Sequence, residues 1–507
     1  MSEIAQLFYP AIRWDATRGY EPEREAIDQA IKLGVGGFIL FGGPSEQVAS
    51  LTEDLHSKSK LPLLIGADLE RGAGQQFAGQ TALPPLAAIA ALEDAQAVRR
   101  AASVSAREAR ALGINWIYAP DCDLDVEPDN PIVGTRSFGG DPERVAEYAA
   151  AWIDSCQSEG VLACAKHFPG HGRTTTDSHK ELPRVEESAD TLRETDLVPF
   201  RRAIEVGVAS VMSAHVAFPT LDPTGAPATL SRAILTDLLR NELEFEGLVV
   251  TDALIMEGVL GGGEAEAVVR ALGAGCDCLL YPANLRGAEN AIRSAIDAGR
   301  LDGAAIQRSL DRRTRWARWA ALSKDTYRPT RDESGWSTQL SERVVHMLRG
   351  KLPSLTQPWH LVIVDDDVGG PYPAPSREPL ISTLRSGGAN IVMNGESAPD
   401  GVGATIIALF GDIRAWKGRP GFSAAAKDAV KRAVSEARST NTLILQFSHP
   451  RLASELDVDA PILCAWGGEA VMQRAAARVM LREMRAKGTD RPARESEHSQ
   501  LNQERSG

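Results

Sequence analysis

The chain has 507 residues, 43% hydrophobic and 24% charged, enough apolar material for one large barrel and a companion domain. Asp and Glu number 68 against 55 Lys and Arg, a formal net charge of −13, which argues against a general nucleic-acid or anionic-membrane partner. Nothing approaches the ~18 uninterrupted apolar residues of a membrane-spanning helix, and the N-terminus shows no basic stretch followed by an apolar core, so a cytoplasmic protein is expected.

Short apolar or β-branched runs recur through the first 320 residues, separated by helix-length segments rich in Ala, Glu and Arg. In order they are LFYPAI (7–12), GGFILF (36–41), PLLIGAD (62–68), INWIYAPD (114–121), VLACAKH (161–167), ASVMSAHV (209–216), GLVVTDA (247–253) and CDCLLYP (276–282). Near-continuous apolar strands alternating with amphipathic helices fit a parallel sheet covered by helices. Eight such units predict a closed (β/α)₈ barrel, of the TIM type, over residues 1–325. Polar residues stand at the C-terminal ends of the runs: Asp68, Asp121, Lys166 with His167, His215 and Asp252. In a barrel those ends share one mouth, where the active site is built.

Residues 326–344 mix charge, Pro, Gly and Ser and read as a linker. A second series follows: HLVIVDDD (360–367), ANIVMNGE (389–396), TIIALFGD (405–412), NTLILQFSHP (441–450) and APILCAWGG (460–468). It predicts a smaller three-layer α/β sandwich over 345–486, with parallel strand order expected. The tail, 487–507, has almost no apolar residues and is expected to be disordered. The six cysteines are scattered in apolar runs and read as reduced, buried thiols. Cys276-Asp277-Cys278 lacks the second Cys/His pair that a zinc site needs.

The densest chemistry is the run from Lys166 to His179, KHFPGHGRTTTDSH, with three histidines in a loop leaving the fifth strand. Lys166 and His167 stand near the strand, placed to donate hydrogen bonds to a polar substrate. Asp177 and His179 are two apart, so an extended segment puts both on one side. A carboxylate on one imidazole nitrogen sets the tautomer and leaves the other nitrogen to exchange protons near neutral pH. A metal site, or a loop held together by histidine hydrogen bonds, remains an alternative. Asp252 ends an otherwise apolar strand and is a candidate nucleophile; its bland alternative is a helix cap. Asp68 and Arg136, on separate loops, suit the hydroxyls of a sugar, or else a loop ion pair.

K-H-F-P-G-H-G-x-T-x-x-D-S-H, the strand ending T-D-A-L, and G-x-R-S-F-G upstream together resemble glycoside hydrolase family 3, closest to its bacterial β-N-acetylglucosaminidases. The resemblance runs through most of residues 5–320, and 345–485 resembles the second domain of some members. It implies a retaining exo-hydrolase of terminal β-linked N-acetylglucosamine, from muropeptide recycling or chitooligosaccharides, with no metal or organic cofactor. It implies Asp252 as nucleophile, His179 as general acid/base and Asp177 as its partner, with Asp68, Arg136, Lys166 and His167 in the sugar subsite. A histidine would then replace one of the two usual carboxylates. Two departures stand out: Gln76 where the family pattern D-x-E-G-G-x-V-x-R has its arginine, and Arg173 where aspartate is frequent. Other readings are phosphorolysis of the same intermediate, since a histidine does not repel a phosphate anion as a carboxylate would, a family member acting on an unacetylated β-glycoside, and a sugar-binding scaffold on a dead barrel. The oligomeric state is open.

Overall fold

The computed structural model describes residues 3–178, 181–256, 259, 262–321, 331–367, 374–393, 400–413, 417–437 and 441–488. The first barrel strand is split by Pro10 into β1 (Phe8–Tyr9) and β2 (Ala11–Arg13), because proline has no N–H for the ladder. Then come β3 (Gly37–Phe41), β4 (Leu64–Ala67), β5 (Trp116–Ile117), β6 (Cys164–Phe168), β7 (Ser210–Ser213), β8 (Leu248–Thr251) and β9 (Leu279–Leu280). Every ladder among them is parallel. Single bridges join β5 to β6 (Trp116 to Leu162, Asp121 to Lys166) and β8 to β9 (Val250 to Cys278). The pairing of Phe8 with Leu279 closes the ring, so the fold is the expected eight-stranded (β/α) barrel.

The two faces of each strand meet different partners, as a two-residue period requires. Tyr9, Ile39, Leu64, Trp116, Tyr118, Leu162, Cys164, Leu248, Val250 and Cys278 fill the barrel. Their neighbours Phe8, Leu40, Ile65, Ile117, Ala165 and Val249 pack outward against the helices. Trp116 anchors the interior, with Tyr9 and Tyr118 edge-on at 5.5 and 5.0 Å and its indole N–H on Ser210 Oγ at 2.8 Å. Helices Ala95–Ala111 and Pro142–Ser158 begin at Asp94 and Asp141, whose carboxylates accept from first-turn N–H groups.

The second unit is a six-stranded sheet: β10 (His346–Arg349), β11 (Trp359–Asp365), β12 (Ile391–Val392), β13 (Ala404–Phe410), β14 (Thr442–Phe447) and β15 (Ile462–Cys464), in the order β10-β15-β14-β13-β11-β12. The five expected strands are all parallel. The sixth, β10, lies antiparallel on β15 at the edge and was not foreseen. Helices Glu378–Ser386 and Ala470–Gly488 cover one face, and Ala424–Ser435 the other, giving three layers. The stretch read as a linker carries a helix, Arg331–Val344. The tail beyond 488 lies outside the described residues. Among the described residues, no helix is long and apolar enough to cross a membrane.

Candidate active site

The inward rows of the barrel run upward into polar residues. Leu162 and Cys164 are followed by Lys166, Leu248 and Val250 by Asp252, and Leu64 by Gly66 and then Asp68. Period two therefore delivers an ammonium and two carboxylates to one mouth. Gly66 sits in its row because a Cβ there would lie 2.4 Å from the Tyr118 hydroxyl.

Lys166 is buried and donates to Asp68 Oδ1 at 2.8 Å, with Glu70 Oε1 at 2.7 Å. Glu70 also receives the fork of Arg136, Nε to Oε2 at 3.0 Å and Nη2 to Oε1 at 2.8 Å. Burial would raise the Glu70 pKa, but Arg136 and Lys166 outweigh it and hold the carboxylate well below its usual range. Burial would lower Lys166, but Asp68 and Glu70 raise it. These groups stay charged, and each has a partner, as buried charges require.

The loop after β5 reads Asp121-Cys122-Asp123-Leu124-Asp125. Asp123 Oδ2 holds His167 Nδ1 at 2.8 Å, and its Oδ1 accepts from the backbone N–H of His167 and His171 at 3.1 and 2.6 Å. Against burial, these contacts lower Asp123 to about 2 and raise His167. The anchored Nδ1 leaves Nε2 of His167 as the edge available to a ligand. Burial and the charge of Asp123 push Asp121 upward from the usual carboxylate range; Arg136 Nη2 lies 3.6 Å from its Oδ2. Among the described residues, Asp121, Asp123 and His167 form the group whose ligand atoms, within 4.8 Å of one another, could take a metal ion. Asp123 and His167 already satisfy one another, which suits a hydrogen-bonded anchor equally well.

The histidine loop is held from within. His171 Nδ1 meets Thr174 Oγ1 at 2.8 Å and its Nε2 meets Ser178 Oγ at 3.1 Å. Burial drives His171 down to about 4, so it is a neutral structural ring. Asn130 ties the loop down through its amide, donating to the carbonyls of His171 and Gly172 at 2.9 and 3.2 Å. Asp177 is buried. His179 lies outside the described residues. Arg173 donates to Asp196 Oδ2 at 2.8 Å and Thr195 Oγ1 at 3.1 Å, with Glu187 at 3.5 Å, so its charge is already answered within the protein.

Asp252, which follows the inward row Leu248 and Val250 of β8, accepts from the backbone N–H of Ala253 at 2.7 Å. Of the residues singled out from sequence, Asp68, Arg136, Lys166, His167 and Asp252 belong to the mouth, with Asp177 on the loop above it. Glu70, Asp123 and Asn130 were missed as site residues. The signal was there for two: Asp68/Glu70 and Asp121/Asp123 are acids two apart at strand exits, so each pair shares a side. Asn130 had none.

The profile described as the glycosyl hydrolase family 3 N-terminal domain matches residues 2–315. A beta-hexosaminidase of Thiobacillus denitrificans is 40% identical over 257 residues, 48% of this chain and 71% of that protein. A beta-N-acetylglucosaminidase/beta-glucosidase of Cellulomonas fimi is 39% identical over 263 residues, but this chain covers only 47% of its length. Among solved structures, a family 3 beta-N-acetylglucosaminidase from a Paenibacillus species superposes with a TM-score of 0.84 at 28% identity, covering 95% of this chain and 96% of that one.

Proposed function

The chain belongs to glycosyl hydrolase family 3, and on that premise we propose that this glycoside hydrolase is a retaining exo-β-N-acetylglucosaminidase. The carrying observation is the convergence of Asp252, Lys166 and Asp68 on the inward rows of one barrel mouth, beside the Glu70–Arg136 pair. A pyranose needs several donors and acceptors held rigidly around it, and this cluster offers them preorganised. The names of the relatives, a beta-hexosaminidase and beta-N-acetylglucosaminidases, support the same glycone.

In this reading Asp252 attacks the anomeric carbon while the bond to the aglycone oxygen breaks. His179, oriented by Asp177, gives that oxygen its proton. The ring then takes a proton from water, whose oxygen displaces Asp252 and frees the sugar with its configuration retained. Asp68, Arg136, Lys166 and His167 hold the sugar. Terminal N-acetylglucosamine on cell-wall or chitin-type fragments is the substrate class.

Asp252→Ala is expected to lower kcat by on the order of 10⁴-fold or more; turnover within tenfold of the parent would falsify the nucleophile. The glycone is tested with chromogenic β-N-acetylglucosaminide, β-glucoside and β-xyloside at neutral pH, where the acetylated sugar should be preferred. Running the reaction with and without phosphate should give free sugar in both cases; sugar 1-phosphate would move the protein to phosphorolysis. Nothing about Arg173 favours that second outcome, because Asp196, Thr195 and Glu187 occupy its guanidinium.

A further inference from the structure

The C-terminal ends of β14 and β15 lean against the barrel mouth, and charged pairs cross between the domains there. Glu469, just after β15, pairs with Arg71. His449, just after β14, lies 3.0 Å from Asp125 through its Nε2, and Arg451 pairs with the same carboxylate. Both barrel residues sit one or two positions beyond groups that shape the sugar site. Arg71 follows Glu70, which holds Arg136 and Lys166. Asp125 is next but one to Asp123, which holds His167 and His171.

Each contact is built rather than incidental. The Arg71 backbone N–H is bound by Gln75 Oε1 at 2.8 Å, and its carbonyl accepts from Leu83 N at 2.9 Å. The guanidinium therefore hangs from a fixed backbone. Glu469 lies across Gly467, where a Cβ would come within 2.4 Å of its Oε2. On the other side, His449 Nδ1 accepts from the Arg451 backbone N–H at 3.2 Å, so its proton is on Nε2, aimed at Asp125. Asp121, Asp123 and Asp125 serve in turn the neighbourhood of Arg136, the histidines and the second domain.

We propose that the second domain is a positioning device for the sugar site, gripping the loops after β4 and β5 through Glu469 on Arg71 and His449 with Arg451 on Asp125. This rests on the sugar-site reading above and deepens it: the domain sets Glu70 and Asp123, and through them Arg136, Lys166 and His167.

The test is the kinetics of Glu469→Gln, His449→Gln and their combination in the full chain, on whichever of the three chromogenic glycosides the parent cleaves. A mistaken glycone then does not count against the inference. KM should rise about fivefold in each single variant and at least about tenfold in the double, with kcat within about twofold, as expected for lost binding geometry. Glu469→Asp should recover part of the loss. Glu342→Gln, which breaks the pair between the connecting helix Arg331–Val344 and Arg482 of the second domain, away from the loops after β4 and β5, should change neither constant. A double variant with parental KM but a lower melting temperature would overturn the proposal and leave a merely structural interface. So would a fall in kcat at constant KM, which would place these groups in the chemical step.

Discussion

Glu70 is where three charges of the site meet, since one buried carboxylate answers both Arg136 and Lys166. Glu70→Gln would keep the shape, take the bidentate partner from Arg136 and leave Lys166 with Asp68 alone. Breaking a buried pair by removing one partner costs up to about 3–5 kcal/mol, and Asp68 keeps part of that, so denaturant unfolding should show a loss of a few kcal/mol at most together with a lower kcat/KM. Activity without destabilisation would mean that water replaces the carboxylate. His171 carries a different expectation. Its ring titrates at about 4 in the fold against about 6.5 unfolded, so folding favours the neutral form. That stabilisation is complete above the unfolded value and is lost as pH falls from about 6.5 to about 4, on the order of 3 kcal/mol in all. His171→Asn should flatten the stability profile in that window, and an unchanged slope there would contradict the assignment. The KHFPGHG run advertised its histidines, but not which of them is a spacer. That division is made by burial and by Asp123, neither of which a linear spacing reveals.

At the scale of elements, Asp277 shows how a suggestive motif can be wholly structural. Standing between two buried cysteines before β9, it accepts from Arg312 Nη2 at 2.6 Å, Ser309 Oγ at 2.7 Å and the Val249 backbone at 2.9 Å, and it pairs with Arg240. It pins the last barrel strand to the closing helix, Gly303–Trp319. Asp277→Ala should therefore cost about 3–5 kcal/mol while leaving KM unchanged in the protein that folds; a changed KM would tie this end of the barrel to the site. The strands were legible because parallel strands buried on both faces must be continuously apolar. β10 was not, since HMLR is short, half-buried and antiparallel at an edge. The helix Arg331–Val344 was hidden by Pro and Gly around its start. Trp336, Leu340 and Val344 recur at intervals of four within it, a stripe that marks a helix when read apart from the charged residues between.

That helix joins the two halves of the molecule into one body. Leu340 is buried in the barrel's outer core and Val344 in the second domain's. Glu333 pairs with Arg107 at 2.8 Å, and Arg100 lies over the Trp336 ring at 4.6 Å. In the other direction, Ala87 and Ala88 of the barrel helix Leu86–Ala90 belong to the core of the second domain. With Arg71 and Asp125 also held from across the boundary, there is little surface along which either unit could unfold alone. Division near residue 325 is then expected to separate two sheets without making two independent folding units. The full chain should melt in a single calorimetric transition whose van't Hoff and calorimetric enthalpies agree. A fragment ending at 325 should bind a hydrophobic dye, because it loses Trp336 and Leu340 and uncovers Ala87 and Ala88. Two resolved transitions in the full chain, with the fragment folding unaided and turning over substrate at the parental KM, would show that the boundary only packs and that the second domain has no hold on the mouth.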